Sequence, residues 1–325
     1  MDNLPNKESL QLTSNDNMKY LGGLLIGILA VSTASLFIRF AQVEIPSLVI
    51  AAGRLLIATL VITPFAFRSW KGQPPAMSGK TWGLLILAGV FLGLHFATWI
   101  TSLEFTSVAS SVVLVTTAPL WVVLLSPIFL KERITRWVII GLVVALCGAV
   151  IVGIGGTCGF LEGQLTCQGL NHLWSRNNLT GNLLALMGAL LSGSYLMVGR
   201  SVRNKLSLPI YTAIVYGIAS IVLILLVLLN RSQVGGYSPS SYIWIVALAL
   251  IPQVVGHSAF NWALKYLSAA YVSIALLGEP IGSVILAALF LKETPGILEI
   301  IGGVLILSGI ILATQRSMSK VNSPG

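Results

Sequence analysis

Ionisable side chains are scarce in this sequence, and the few that interrupt its apolar runs are where chemistry would reside. Glu279 stands in Leu276-Leu277-Gly278-Glu279-Pro280, with Ile281 following. A carboxylate in such surroundings can exchange a proton, hold the amino group of a ligand, or simply bond a neighbouring helix. His95 is followed at helical spacing by Trp99, and His257 by Asn261, so each pair shares one face of a helix. Tyr195 and Tyr271 add polar groups to the same half of the chain as Glu279. The expected ligand-binding or cavity-lining set is therefore Glu279, His95, Trp99, His257, Asn261, Tyr195 and Tyr271. Each has a plainer alternative. The histidines can serve inter-helix hydrogen bonding, and tryptophans and tyrosines anchor helices at a membrane surface. Serines and threonines in apolar helices ordinarily bond their own backbone, which is the reading given to Ser110, Ser111, Thr116, Thr117 and Ser273. Arg54 lies near enough to the end of its run to snorkel or to hold carbonyls of a neighbour, and is read as structural. No catalytic residue is expected. The apolar runs contain no aspartate, so the paired acids of an intramembrane protease are missing. His95 and His257 have no nearby acid to complete a metal site, so neither a metal nor a cofactor is expected.

The elements that position these residues follow from composition. The chain has 325 residues, of which 56% are hydrophobic and only 9% charged, with three cysteines. A soluble domain carries about 25% charged residues, so a water-soluble globule is excluded, as are disordered and disulfide-framework chains. The net charge of +9 raises nucleic acid as a partner, but 19 basic residues spread between apolar runs are better explained by membrane topology. A bilayer core needs about 20 apolar residues per helix. Ten runs qualify, at 20–38, 46–67, 82–102, 107–129, 136–155, 181–199, 209–229, 242–263, 269–291 and 297–314. They are continuous rather than alternating, which predicts an all-α polytopic membrane protein and not an outer-membrane barrel. With residues 1–18 and 316–325 as cytoplasmic tails, 14 Lys and Arg fall on the side of the termini. Only Arg39, Arg176, Arg231 and Lys292 fall on the other. That bias predicts both termini in the cytoplasm, and the expected location is the plasma (inner) membrane. The loop 156–180 then lies outside, where Cys158 and Cys167 can form a disulfide or remain free thiols.

The chain also repeats itself. A shift of 161 residues lays Ser107-Val-Ala109 on Ser268-Ala-Ala270, and Phe129-Leu-Lys-Glu132 on Phe290-Leu-Lys-Glu293. The same shift lays Pro119 on Pro280, and Gly141 and Gly148 on Gly302 and Gly309. The predicted organisation is two five-helix repeats, 19–155 and 181–315, joined by the outer loop. Five is odd, so the second copy enters the membrane inverted, as in secondary transporters whose substrate site lies between the halves. Mid-span, Pro119 and Pro280 can be packing kinks or hinges.

Ten spans in a five-plus-five repeat, with a fourth helix in each half reading S-x-A-x(9)-P-x(9)-F-L-K-E, resemble the EamA family of the drug/metabolite transporter superfamily. Arg54 in the second span and Glu279-Pro280 in the ninth fit the same resemblance, which covers about residues 19–315. It implies alternating-access movement of small metabolites without ATP, and indeed no G-x-x-x-x-G-K-[ST] phosphate loop occurs. The related small multidrug exporters carry a glutamate in their first helix. The first span here has only Ser32, Thr33 and Ser35 as polar groups, so their proton–drug exchange does not transfer. The expected cargo is an amino acid or related solute, with export favoured over uptake, and a channel is disfavoured because no filter or pore ring shows. Expected partners are a small-molecule substrate and the bilayer, with no nucleic acid. The chain would work as a monomer or a homodimer.

Overall fold

The computed structural model describes residues 14–71, 77–106, 108–131, 134–155, 158–161, 164–167, 176–286 and 297–315. Apolar composition drives almost all of them into helix, because only internally hydrogen-bonded backbone is tolerated in hydrocarbon. The first repeat contains α1 (Ser14–Val31), α2 (Ala34–Ala41), α3 (Ser47–Trp70), α4 (Gly79–Phe105), α5 (Val108–Val115), α6 (Ala118–Phe129) and α7 (Arg136–Gly155). The second contains α8 (Arg176–Arg203), α9 (Leu208–Leu229), α10 (Pro239–Leu248), a π segment (Ala249–His257) and α11 (Ser258–Ala263). It continues with α12 (Ala269–Ala275), a 3-10 turn (Leu276–Gly278), α13 (Glu279–Leu286) and α14 (Ile297–Gln315). Among the described residues, six helices are long and apolar enough to cross a membrane: Met18–Ala41, Ser47–Trp70, Gly79–Phe105, Leu179–Arg203, Leu208–Leu229 and Pro239–Ala263. Shorter apolar helices cover Ala118–Phe129, Arg136–Ile151 and Ile300–Ala313. Leu25, Leu60, Phe65, Leu225 and Leu228 are exposed on the outer surface, as lipid-facing residues must be. The protein is an integral membrane protein.

Within the expected outer loop, β1 (Cys158–Leu161) and β2 (Gln164–Cys167) form an antiparallel hairpin. Its register sets Cys158 directly opposite Cys167.

Packing between the repeats is reciprocal. The third helix of the first repeat, α4, packs on the first helix of the second, α8. Conversely α1 and α2 pack on the π segment and α10. Like helices also meet: α3 with α9, α6 with α12, and α7 with α14. The last of these is glycine-mediated. A Cβ on Gly141 would lie 2.5 Å from the Gly309 carbonyl oxygen, and one on Gly148 would lie 2.6 Å from that of Gly302. Such clearances allow backbone-to-backbone approach and nothing larger than hydrogen at those positions. Positions that ascend along α7 meet positions that descend along α14, so the two helices run antiparallel.

Three helices are interrupted. The first breaks at Ser32-Thr33, between α1 and α2, and the fourth at Thr116-Thr117, between α5 and α6. The ninth breaks at the 3-10 turn. Pro119 and Pro280 were expected within continuous spans, as kinks or hinges. In the structure each is the second residue of a new helical segment, where its missing N–H removes no intrahelical bond.

Candidate functional site

The breaks converge. Ser32 Oγ lies 2.7 Å from the Ile28 carbonyl and 3.0 Å from the Glu279 carbonyl, sharing its one proton between them. Ser283 Oγ in turn donates to the Ser32 carbonyl at 3.0 Å. A side chain at the interruption in each repeat thus bonds a carbonyl at the interruption of the other. Other hydroxyls in the spans are spent as the sequence predicts: Thr59, Thr63, Thr98 and Ser194 each donate to the carbonyl four residues back.

Beside these breaks is a cavity with about 550 Å³ of empty space, openings included. Both repeats line it: Val31, Arg54, His95, Trp99, Thr116 and Pro119 from the first, Ser192, His257, Ser273 and Glu279 from the second. It therefore gathers Glu279, His95, Trp99 and His257 from the residues singled out in the sequence. Asn261, Tyr195 and Tyr271 are placed elsewhere. Tyr195 donates its hydroxyl proton to Asn261 Oδ1 at 2.6 Å, and Asn261 Nδ2 donates to the Tyr216 hydroxyl at 3.3 Å. That network lies one turn beyond His257, among α8, α9 and α11. Tyr271 is buried in the first turn of α12, where its N–H is capped by Ser268 Oγ at 3.2 Å.

Within the cavity the polar groups differ in how far they are satisfied. His95 Nδ1 sits 2.9 Å from the Gly188 carbonyl, which can only accept, so Nδ1 carries the proton. The His95 ring stacks on Trp99 with centroids 5.9 Å apart and planes 9° from parallel. Trp99 is 5% exposed, and its indole Nε1 has no hydrogen-bond partner among the described residues. Tyr195 is committed to Asn261, so it leaves Glu279 free.

Arg54 belongs to this site, which the sequence reading did not anticipate. Its side chain is fully buried rather than snorkelled. The guanidinium lies 4.1 Å over the Phe96 ring, and its Nε donates to Gln253 Oε1 at 2.9 Å. Nη1 and Nη2 have no partner among the described residues. An unsatisfied buried donor costs about 1–3 kcal/mol, and a charged one more. Position within the span misled, since Arg54 is seven residues into α3 and an arginine can reach the surface from there. The available signal was its joint occurrence with Glu279: one cation and one carboxylate deep in the spans imply a common polar space.

Comparison with known proteins agrees with this architecture. The chain is 26% identical over 278 residues to an uncharacterized transporter, YdfC, of Bacillus subtilis (strain 168), covering 84% of this chain and 83% of that one. It is 25% identical over 294 residues to an uncharacterized transporter of Archaeoglobus fulgidus, covering 90% and 95%. It is 27% identical over 222 residues to a probable terminal-alkyne amino-acid exporter of Streptantibioticus cattleyicolor, covering 65% and 67%. A crystal structure superposes with a TM-score of 0.74 at 17% identity, covering 94% of this chain and 99% of that one, a likeness of fold. The model of the EamA-like transporter family matches residues 18–154 and 179–315, one match for each repeat. The chain belongs to the EamA-like transporter family.

Proposed function

We propose that the protein is a secondary transporter that moves small organic solutes, amino acids or their relatives, through the cavity between its repeats by alternating access. The observation that carries this is a single cavity lined by both repeats, at the interruptions of their helices, holding a buried cation and a carboxylate. Discontinuous helices at a repeat interface are how such transporters build binding sites without leaving backbone groups unsatisfied. The antiparallel α7–α14 contact and the reciprocal packing of the other helices support ten spans in two inverted halves. On this reading both termini are cytoplasmic, the hairpin loop is outside, and the protein resides in the plasma membrane. Pro119 and Pro280 start the helical segments that move as the cavity changes its access. Export is favoured by similarity to the probable amino-acid exporter.

Proteoliposomes loaded with unlabelled amino acid should accumulate the labelled one by counterflow, with saturable rates. Failure of every solute in an amino-acid panel to exchange, by protein that still melts cooperatively, would sink this reading. Flux at channel rates without counterflow would replace it. Cells overproducing the protein should enrich the exported solute in the medium relative to cells lacking it, and enrichment inside the cells would reverse the direction.

A further inference from the structure

We propose that Arg54, assisted by Trp99, is the anchor for a carboxylate of the transported solute, and that Glu279 receives the cationic group of the same molecule. The cargo is then a zwitterion, held by its charged backbone rather than by its side chain. This rests on the transport reading above and adds to it the groups that choose the substrate.

Three observations meet at one place. Arg54 is fully buried and lines the cavity, yet only its Nε is bonded. The two outer nitrogens, which would form the paired donors of a bidentate carboxylate contact, have no partner. Trp99, buried on the neighbouring helix and lining the same cavity, leaves its indole N–H unpartnered as well. Three orphaned donors around one space call for an acceptor. Gln253 and Phe96 fix the guanidinium from behind, so the fork is oriented before any ligand arrives.

Glu279 lines the same cavity from the other repeat. Because Nη1 and Nη2 are without hydrogen bonds, Arg54 and Glu279 are not paired with each other. Each charge is left open to a third party. A phosphate or other dianion is disfavoured, since Arg54 is the only Lys or Arg among the lining residues and Glu279 would repel the second negative charge. A purely cationic solute would leave the three donors unanswered. A molecule with a carboxylate at one end and an ammonium at the other satisfies both. Because Arg54 and Glu279 come from different repeats, such a solute would also bridge the halves that must move.

The test compares matched probes on the full chain, purified in detergent and reconstituted into liposomes. Four amino acids of different side chain (leucine, methionine, phenylalanine and threonine) are each set against their own amide, which keeps size and ammonium but removes the carboxylate. Thermal-shift titration and competition of counterflow read affinity. At least one pair should show the acid binding ten- to a hundredfold tighter than its amide, the scale of a charge-assisted bidentate contact. Arg54→Gln should bring acid and amide together, whereas Arg54→Lys should keep part of the preference. Matched melting temperatures exclude misfolding as the cause. Equal affinity for acids and amides in the wild type, no stabilisation by any of the acids, or full discrimination retained in Arg54→Gln would each overturn the anchor. Counterflow of solutes lacking a carboxylate would overturn it while leaving the transport reading intact. Absence of all counterflow would instead count against transport.

Discussion

Arg54 and Glu44 illustrate opposite uses of charge in one chain. Glu44, in the link between α2 and α3, accepts from the Ser238 backbone N–H at 2.8 Å and from the Ser241 hydroxyl at 2.9 Å, and so caps the start of α10 in the other repeat. The Ser238 backbone bond, then the Ser238 and Ser241 side chains, hold its carboxyl below the usual carboxylate range. A value depressed by folding stabilises the folded state above the unfolded pKa, about 4.3, and that stability is lost as pH falls through the folded value. Glu44→Gln should therefore melt below the wild type near neutral pH, with the gap closing below about pH 4. A gap that stays constant across that range would remove the carboxylate from the cap. At the cavity, Glu279→Gln keeps size and removes charge. It should insert and fold, yet transport without the wild type's pH dependence and with weaker competition by ammonium-bearing solutes. Unchanged pH profiles in counterflow would reduce Glu279 to a structural group. Glu279, His95, Trp99 and His257 were legible because charged or aromatic polar groups inside apolar runs are few. Asn261 and Tyr195 were not separable from them, since a bonded pair and a lining pair look alike in sequence. What placed Arg54 in the cavity was the position of Gln253 and Phe96, two residues far from it in the chain.

At the scale of elements, apolar run length predicted helix, but against ten expected spans six helices among the described residues are long and apolar enough to cross a membrane and three apolar helices are shorter. Run length does not mark their interruptions, where hydroxyls such as those of Ser32, Thr33 and Thr117 bond nearby carbonyls. Ser32 and Thr33 were noted only as the polar groups of the first span, and they turn out to be the break itself. The π segment coincides with a small irregularity. His95 and His257 are 162 residues apart in a chain whose repeat offset is 161. A π turn accommodates an extra residue per turn, and Ala249–His257 is such a segment where the matching part of α4 is regular α-helix. Both imidazoles line the cavity. The α7–α14 contact gives a sharper prediction. Gly148→Leu would drive a side chain into the Gly302 carbonyl and the Ile306 N–H, 2.6 and 2.8 Å from the Cβ. Overpacking of a tight contact costs about 1–3 kcal/mol or more. The variant should show a lowered melting temperature or fail to accumulate. Leucine at Gly83, where a Cβ meets nothing within 4 Å, should leave the melting temperature unchanged.

For the whole molecule, the internal repeat made the two-repeat architecture readable, because duplication leaves a mark on sequence, and the basic-residue bias adds an expected orientation. A reporter fused at residue 325 should behave as cytoplasmic and one inserted near 170 as external. An external C-terminus would dismantle the ten-span arrangement. The cavity itself left no such mark, being made of residues from α1 to α13 that no spacing rule connects. The glycine seam carries a last consequence. By the 161-residue shift, Gly141 corresponds to Gly302 and Gly148 to Gly309, yet in space Gly141 touches Gly309 and Gly148 touches Gly302. Each glycine is held by the counterpart of its own neighbour, the crossed pairing that a two-fold axis imposes on like surfaces. Neither copy can enlarge Gly141, Gly148 or Gly309 unless the opposite copy yields the same space. Elsewhere the halves are free to diverge, as His95 and its one-sided π counterpart have. Along this seam the two copies police each other, and the ancestral symmetry persists in the sequence because the backbone leaves no room to forget it.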